Sequence, residues 1–190
     1  RKRQTVMIEK LRKYKPYNEQ EEKDVKEMIR RLENGEELFL RDNASAHFTA
    51  SAWVVSPDRK KVLMAYHNIY DSWAWLGGHA DGEHDLLKVA IKEVKEESGL
   101  DVKPVSEDIY SVEILCVDGH IKNGQYVSSH LHFNVTYLLE GDDKLPIRNK
   151  PDENKAVAWF DREEAIEKSR EEWFKKNIYR NTTKRKTTRN

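Results

Sequence analysis

The segment Lys92-Glu93-Val94-Lys95-Glu96-Glu97 sets three carboxylates at i, i+3 and i+4. On a helix these positions share one side within a turn, so three like charges crowd and repel one another. A solvated acidic face is the ordinary use of such a run. Its chemical use is to hold a hard divalent cation, because Mg²⁺ takes oxygen ligands, keeps several waters and binds substrate phosphate oxygens through its remaining positions. Just before it, Gly77-Gly78-His79-Ala80-Asp81-Gly82 is a glycine-rich loop able to bring its backbone close to a ligand at a helix N-terminus, where anions are favoured. Each feature alone has a bland explanation, a charged surface or a turn between strand and helix.

Other residues offer weaker chemistry. Trp73 and Trp75 flank the glycine loop, where an aromatic ring can stack on a base or simply fill the core. His130, His132, Asn134 and Thr136 recur at period two, so one strand face turns them together into a cleft or toward water. His130 and His132 would supply two metal ligands, but the sequence identifies no third; contact of one of the pair, His132, with substrate is the better expectation than a zinc site. Arg41 and His47 are within reach of a phosphate role, yet a surface place is favoured for each. Cys116 falls inside a strand and is expected to be buried and inert.

The elements that must position these groups follow from periodicity. Val25, Met28, Ile29 and Leu32 at helical spacing within 18–34 predict an amphipathic helix, with Gly35 at its stop. From His47 the rhythm turns to β: 47–55, a Ser-Pro-Asp turn, then 61–67 form a hairpin. A helix is expected from Glu83 or His84 to Ser98, ended by Gly99 in a left-handed cap. Asn123-Gly124 signals a second hairpin between long strands over 110–120 and 126–140. A short strand over 156–160 and a last helix over 162–179, with Ala165, Ile166 and Trp173 inward, complete the chain. Strands and helices alternate irregularly, which favours an α/β sandwich over a doubly wound parallel sheet.

Taken together, Gly78 to Leu100 resembles the Nudix box, G-x5-E-x7-R-E-U-x-E-E-x-G-U with U a bulky aliphatic residue. Gly78, Glu93, Val94, Glu96, Glu97, Gly99 and Leu100 match in register; the first glutamate is replaced by His84 and the arginine by Lys92. The Trp75-Leu76-Gly77-Gly78 lead-in, the preceding hairpin and the Trp159-Phe160 pair also resemble the family, over about 45–170. The resemblance implies an α/β/α sandwich with a mixed sheet over 45–179, carrying an N-terminal helical extension at 1–44 and a basic tail at 180–190. It implies a hydrolase that cuts the diphosphate bond of a nucleoside diphosphate linked to another moiety. Glu93, Glu96 and Glu97, with the carbonyl of Gly78, would hold Mg²⁺ or Mn²⁺; Glu153, from a late loop, would complete the catalytic acids. Gly77, Gly78, His79, Trp75 and His132 would meet the substrate. Lys92 keeps its charge but loses the planar fork that grips a carboxylate, and His84 cannot act as a carboxylate acceptor, so looser glutamates are expected rather than a lost site.

Composition limits the alternatives. The 190 residues suit one catalytic domain, and 34 basic against 34 acidic residues leave no global field to draw the chain onto nucleic acid or a membrane. One cysteine excludes an internal disulfide framework and makes a reducing cytoplasm the simplest compartment. No apolar run reaches the ~20 residues a membrane span needs, and 1–15 are too polar for a secretory core. The seven basic residues after Glu172 read as a solvated tail. A nucleotide sensor that binds without cutting is the main alternative; RNA-end processing and an isomerase rank lower. The N-terminal helix either covers the sheet within one chain or builds a homodimer.

Overall fold

The computed structural model describes residues 2–68 and 71–168. The expected α/β class with a mixed sheet and N-terminal helices is what the chain adopts. In order come α1 (Lys2–Lys13), α2 (Glu19–Glu33), β1 (Ala46–Val55), β2 (Lys61–His67), β3 (Ser72–Ala74), β4 (Leu76–His79) and α3 (Leu86–Ser98). Then follow β5 (Lys103–Pro104), β6 (Ser111–Val117), β7 (His120–Lys122), β8 (Gln125–Val127), β9 (His130–Glu140), β10 (Asn154–Asp161) and α4 (Arg162–Lys168). Ala165 and Ile166 of α4 are buried as expected; Trp173, the rest of the expected last helix and the basic tail lie outside the described residues. The main sheet runs β10-β2-β1-β9-β5, with β3 beside β2, β4 beside β1 and β6 beside β9. The chain forms two compact units, one from 1–50, 78–89 and 108–136, the other from 51–77, 90–107 and 137–190.

In the first unit α2 starts at Asn18, whose side-chain oxygen accepts the Glu21 N–H at 2.9 Å, and ends before Gly35 at φ +80°. Its apolar stripe buries Val25, Met28 and Leu32. α1, which hydrophobic periodicity does not announce, buries Met7 and Leu11 while Val6 stays exposed.

The polar side of α2 matters as much. β6 pairs with β9 along one edge, Val117 opposite His130 through Ser111 opposite Thr136. Its other edge would present bare N–H groups. Glu21 Oε2 accepts the Val112 N–H and Asp24 Oδ2 the Ile114 N–H, both at 2.9 Å, so helix carboxylates complete the ladder. Glu21 Oε1 also accepts from the Tyr14 hydroxyl and the Tyr17 N–H, each at 2.7 Å, and the residue is 1% exposed.

The second hairpin forms at Asn123-Gly124, both at positive φ, but its long strands are broken. β7 and β8 form a separate two-stranded sheet, His120 opposite Val127. At the break, a side chain on Gly119 would run into the Tyr126 hydroxyl, and the Gly119 N–H leaves the ladder for Ser129 Oγ. Cys116, at the end of β6, is exposed rather than buried. Most of the polar face of β9 is buried, His132 alone of its four polar residues being half-buried. Asn134 and Thr136 are buried, donating to Glu113 Oε1 at 2.8 and 2.7 Å, while Asn134 Oδ1 accepts from Thr49.

In the second unit β2 is paired on both edges, by β10 from Asn154 to Asp161 and by β1 and β3. Gly141 is required there, since a Cβ would lie 2.6 Å from Leu100 Cδ2.

Glu21→Ala should lower stability by about 2–4 kcal/mol, because it removes three hydrogen bonds and takes the partner from the buried Val112 N–H. Thermal unfolding should fall by roughly 5–12 °C on the scale of ~2–4 °C per kcal/mol for this size. An unchanged midpoint would remove Glu21 as the latch of the helical extension.

Candidate active site

α3 begins at Leu86, later than periodicity suggests. Asp85 caps it, its Oδ1 accepting the Lys88 N–H at 3.2 Å. Position 84 therefore precedes the helix, and a capping box from Asp81 to 84 does not arise. The His84 ring stacks on Phe39 with centroids 4.1 Å apart, and Asp81, at φ +47°, is gripped by both forks of Arg41 at 2.8 and 2.9 Å. Arg41 is thus committed to an exposed ion pair.

The far end of α3 carries the acids. Val94 and Leu100 are buried and anchor the helix, and Gly99 takes the left-handed cap at φ +77°. Glu97 is 1% exposed; its Oε1 accepts the Gly77 N–H at 3.0 Å, while its Oε2 is buried without a hydrogen-bond partner. One carboxylate oxygen each of Glu93, Glu97 and Glu153 lie within 4.8 Å of one another. Burial, then the charges of Glu96 and Glu153, pushes Glu93 up to about 7. Burial also raises Glu97 well above the usual carboxylate range; the Gly77 N–H opposes this, and Glu93 and Glu153 add to it. The three acids also crowd the C-terminal half of a helix, where its dipole disfavours anions. Oxygen ligands, an orphaned buried carboxylate oxygen and clustered negative charge fit a hard divalent cation.

Glu153 reaches this group through the last carbonyls of α3, which have no partner within the helix. The Arg148 N–H donates to Ser98 O at 2.9 Å, and buried Asn154 donates from Nδ2 to Glu97 O at 3.3 Å. Asn154 Oδ1 in turn accepts the Lys150 N–H at 3.1 Å, and the Glu153 N–H donates to Lys150 O at 2.9 Å. The helix end therefore captures the loop that delivers the third acid. Lys150 Nζ pairs with Glu153 at 3.0 Å. Sequence reasoning singled out Glu153 but missed Asn154, which carries no chemistry of its own.

The profile of the NUDIX domain matches residues 46–182. The chain belongs to the NUDIX family. Among solved structures it resembles an Ap4A hydrolase of C. elegans, at 18% identity and a TM-score of 0.53 over 72% of this chain and 95% of that one. It also resembles the dihydroneopterin triphosphate pyrophosphohydrolase of E. coli, at 17% identity and a TM-score of 0.50 over 75% of this chain and 95% of that one. At such identities the likeness is one of fold. No curated protein sequence matches the chain.

The remaining box positions then find their places. Glu96 stands outside the three-acid group and pairs with Lys92 at 3.5 Å, both well exposed. Lys92 thus pairs with Glu96, and only its charge reaches Glu93, where it lowers the pKa. Trp75 is 7% exposed, and its carbonyl accepts from His67 Nε2 at 3.1 Å; Trp73 packs edge-on against Phe160 at 4.8 Å. Both tryptophans serve packing. Gly78 and His79 end β4, half-buried. The His79 ring lies 5.3 Å from that of His47 and 5.0 Å from that of His132. His47, expected at the surface, is 4% exposed because its Nδ1–H donates to Asn43 O at 3.0 Å and its ring turns inward. Burial, then neighbouring cationic groups, holds His79 down at about 3 and His132 at about 2, so both rings are neutral.

Glu97→Gln should reveal the strain in this cluster. A carboxylate whose folded pKa is raised contributes stability that is complete at low pH and lost as pH rises through that pKa. In chelator, the variant should match the parent near pH 5 and exceed it by about 1–3 kcal/mol at pH 8, the cost of an unsatisfied buried group. Denaturant unfolding at the two pH values measures this; equal stability at both would mean that Glu97 is not charged and stranded.

Proposed function

We propose that the chain is a metal-dependent hydrolase that cleaves a diphosphate bond in a nucleoside diphosphate linked to another moiety. The observation that carries this is the group of three carboxylates, Glu93 and the buried Glu97 on the box helix of a NUDIX member and Glu153 from a later loop, with its unpartnered Glu97 oxygen. The two similar structures bear names that agree in chemistry, one for hydrolysis of Ap4A and one for pyrophosphohydrolysis of dihydroneopterin triphosphate. The exposed Lys92–Glu96 pair and the stacked His84 leave the buried acids intact, which favours hydrolysis over sensing.

Glu93, Glu97 and Glu153 would hold Mg²⁺ or Mn²⁺, with Glu96 at the margin. When bound, such an ion supplies a Lewis acid for the phosphoryl oxygens and lowers the pKa of water. Glu97 would be the fixed ligand, because the Gly77 N–H orients its carboxylate. Glu93, which burial pushes up to about 7 in the metal-free protein, would be the proton acceptor: it would take the proton of the attacking water as that oxygen bonds to phosphorus and the bridging P–O bond breaks. Lys150 holds Glu153 in place from the solvent side. Asn154 is a positioning residue. Gly78 and His79 are the segment we assign to substrate contact.

Incubation with Mg²⁺ or Mn²⁺ and a panel of nucleoside triphosphates, dinucleoside polyphosphates, nucleotide sugars and ADP-ribose, read by product mass, tests the reading. We expect cleavage of at least one diphosphate linkage, with Glu97→Gln reducing kcat by roughly 1,000-fold, equivalent to several kcal/mol of lost metal stabilisation. Tight binding of one compound without product would replace catalysis with sensing. In the active enzyme kcat/KM at limiting metal should rise with pH through about 7 as Glu93 ionises. Asn154→Ala, which keeps all three acids but loosens the loop that places Glu153, should weaken Mn²⁺ binding by roughly 10–100-fold, as loss of a ligand-orienting partner does. Calorimetry would measure this, and unchanged affinity would remove Asn154 from that role.

A further inference from the structure

The first unit holds a second set of ligands that the diphosphate chemistry does not use. One ring nitrogen each of His47, His130 and His132 lie within 4.8 Å of one another. Two of these rings are locked by the same device. The His47 Nδ1–H donates to Asn43 O at 3.0 Å, and the His130 Nδ1–H donates to Ser128 O at 2.8 Å. A carbonyl only accepts, so in both rings Nδ1 carries the proton and Nε2 presents a lone pair. Ligating histidines are held in this way, with the far nitrogen donating to a carbonyl that fixes tautomer and ring orientation. His47 Nε2 is buried and has no hydrogen-bond partner, and His130 Nε2 meets His132 Nε2 at 3.2 Å.

We propose that His47, His130 and His132 form a binding site for a divalent transition metal of the Zn²⁺ class, separate in donor chemistry from the carboxylate group. The distances suit that ion. Bonds of about 2.0–2.1 Å at tetrahedral angles set ligand nitrogens ~3.3 Å apart, and the His130–His132 separation is already close to that edge. The widest separation in the group must close by about 1.5 Å at most to reach that spacing, a side-chain movement. On binding, the proton shared between His130 and His132 is displaced to the outer nitrogen of His132 or to solvent. Three neutral imidazoles prefer Zn²⁺ and its neighbours over Mg²⁺, and a three-histidine set leaves a fourth position open, the arrangement of zinc sites that take water or an anion. His79 packs against His47 and His132 and contributes no nitrogen to the group.

The test uses the full chain, stripped with chelator and kept in excess Mg²⁺ so that the carboxylates are occupied. Calorimetry with Zn²⁺, ligand-field absorption with Co²⁺ and X-ray absorption of the zinc-loaded protein are the three readouts. The expected result is one equivalent of tightly bound Zn²⁺ with three imidazole nitrogens at about 2.0–2.1 Å, and four-coordinate bands for Co²⁺. His132→Ala and His47→Ala, checked for native circular dichroism, should each weaken Zn²⁺ by roughly 100-fold, while Glu97→Gln should not change it. No Zn²⁺ bound by the parent protein, an oxygen-only ligand shell, or equal affinity in folded His132→Ala would overturn the site. The absorption spectrum of the parent decides the matter even if both alanine variants fail to fold.

Discussion

A carboxylate held away from water with one oxygen unpaired is the constraint on which the second unit turns. Glu97 surrenders hydration on folding and receives a single backbone N–H in return. Glu93 and Glu153 then bring like charges to its side, and the dipole of α3 opposes all three. Among the described residues Lys150 pairs with Glu153 and Lys92 with Glu96, and the Glu97 Oε2 has no hydrogen-bond partner. Buried charge of this kind survives either by taking up protons or by taking up a cation. The first is visible in the raised pKa of Glu93 and Glu97. The second is what a diphosphate hydrolase requires.

The way the acids are assembled follows from the same helix. A helix end leaves four carbonyls without partners, and in α3 two of these, on Glu97 and Ser98, are the attachment points for Asn154 and Arg148. The loop that carries Glu153 is thereby docked by backbone chemistry, and its acid needs only the right offset from Asn154. Gly99 belongs to this device as well. Its left-handed backbone turns the chain away, and the Arg148 side chain occupies the space that a Cβ would enter, at 3.2 Å. Fold and site are one construction here, since the residues that stop the helix are those that place the third acid.

Much of this was legible in the sequence. Glutamates at i, i+3 and i+4 with a glycine cap encode themselves locally, and so does Asn123-Gly124, because each depends on a period or on positive φ. What was not legible depends on partners distant in the chain. The hairpin strands break at Gly119, where the N–H turns to Ser129 Oγ and the Tyr126 ring, seven residues on, lies against the backbone. Period two correctly put His130, His132, Asn134 and Thr136 on one face, but polarity suggested water or a cleft. Glu113 and Thr49 bond Asn134 and Thr136 from neighbouring strands, and a polar face with its own partners can be buried. His47 was misplaced for the same reason. Its burial depends on Asn43 O taking the Nδ1 proton, a backbone interaction that no side-chain pattern records. Glu96 shows the reverse limit: its spacing puts it on the acidic side of α3, and only the fold decides that it pairs with Lys92 instead.

The two ligand sets differ in a way that bears on which ions they can keep. Oxygen sites do not exclude Zn²⁺ by affinity, since divalent ions later in the first transition row bind most donors more tightly than Mg²⁺ does. A carboxylate site in a cell therefore depends on ion availability and on the presence of better ligands for the softer ions. Neutral imidazoles are such ligands, and they repel Mg²⁺ passively by offering no charge to offset its dehydration. The carboxylates carry the opposite bias, with clustered charge and few nitrogen donors. A chain that keeps nitrogen and oxygen donors in separate groups gives each class of ion a site matched to its hardness, so occupation of one need not deplete the other.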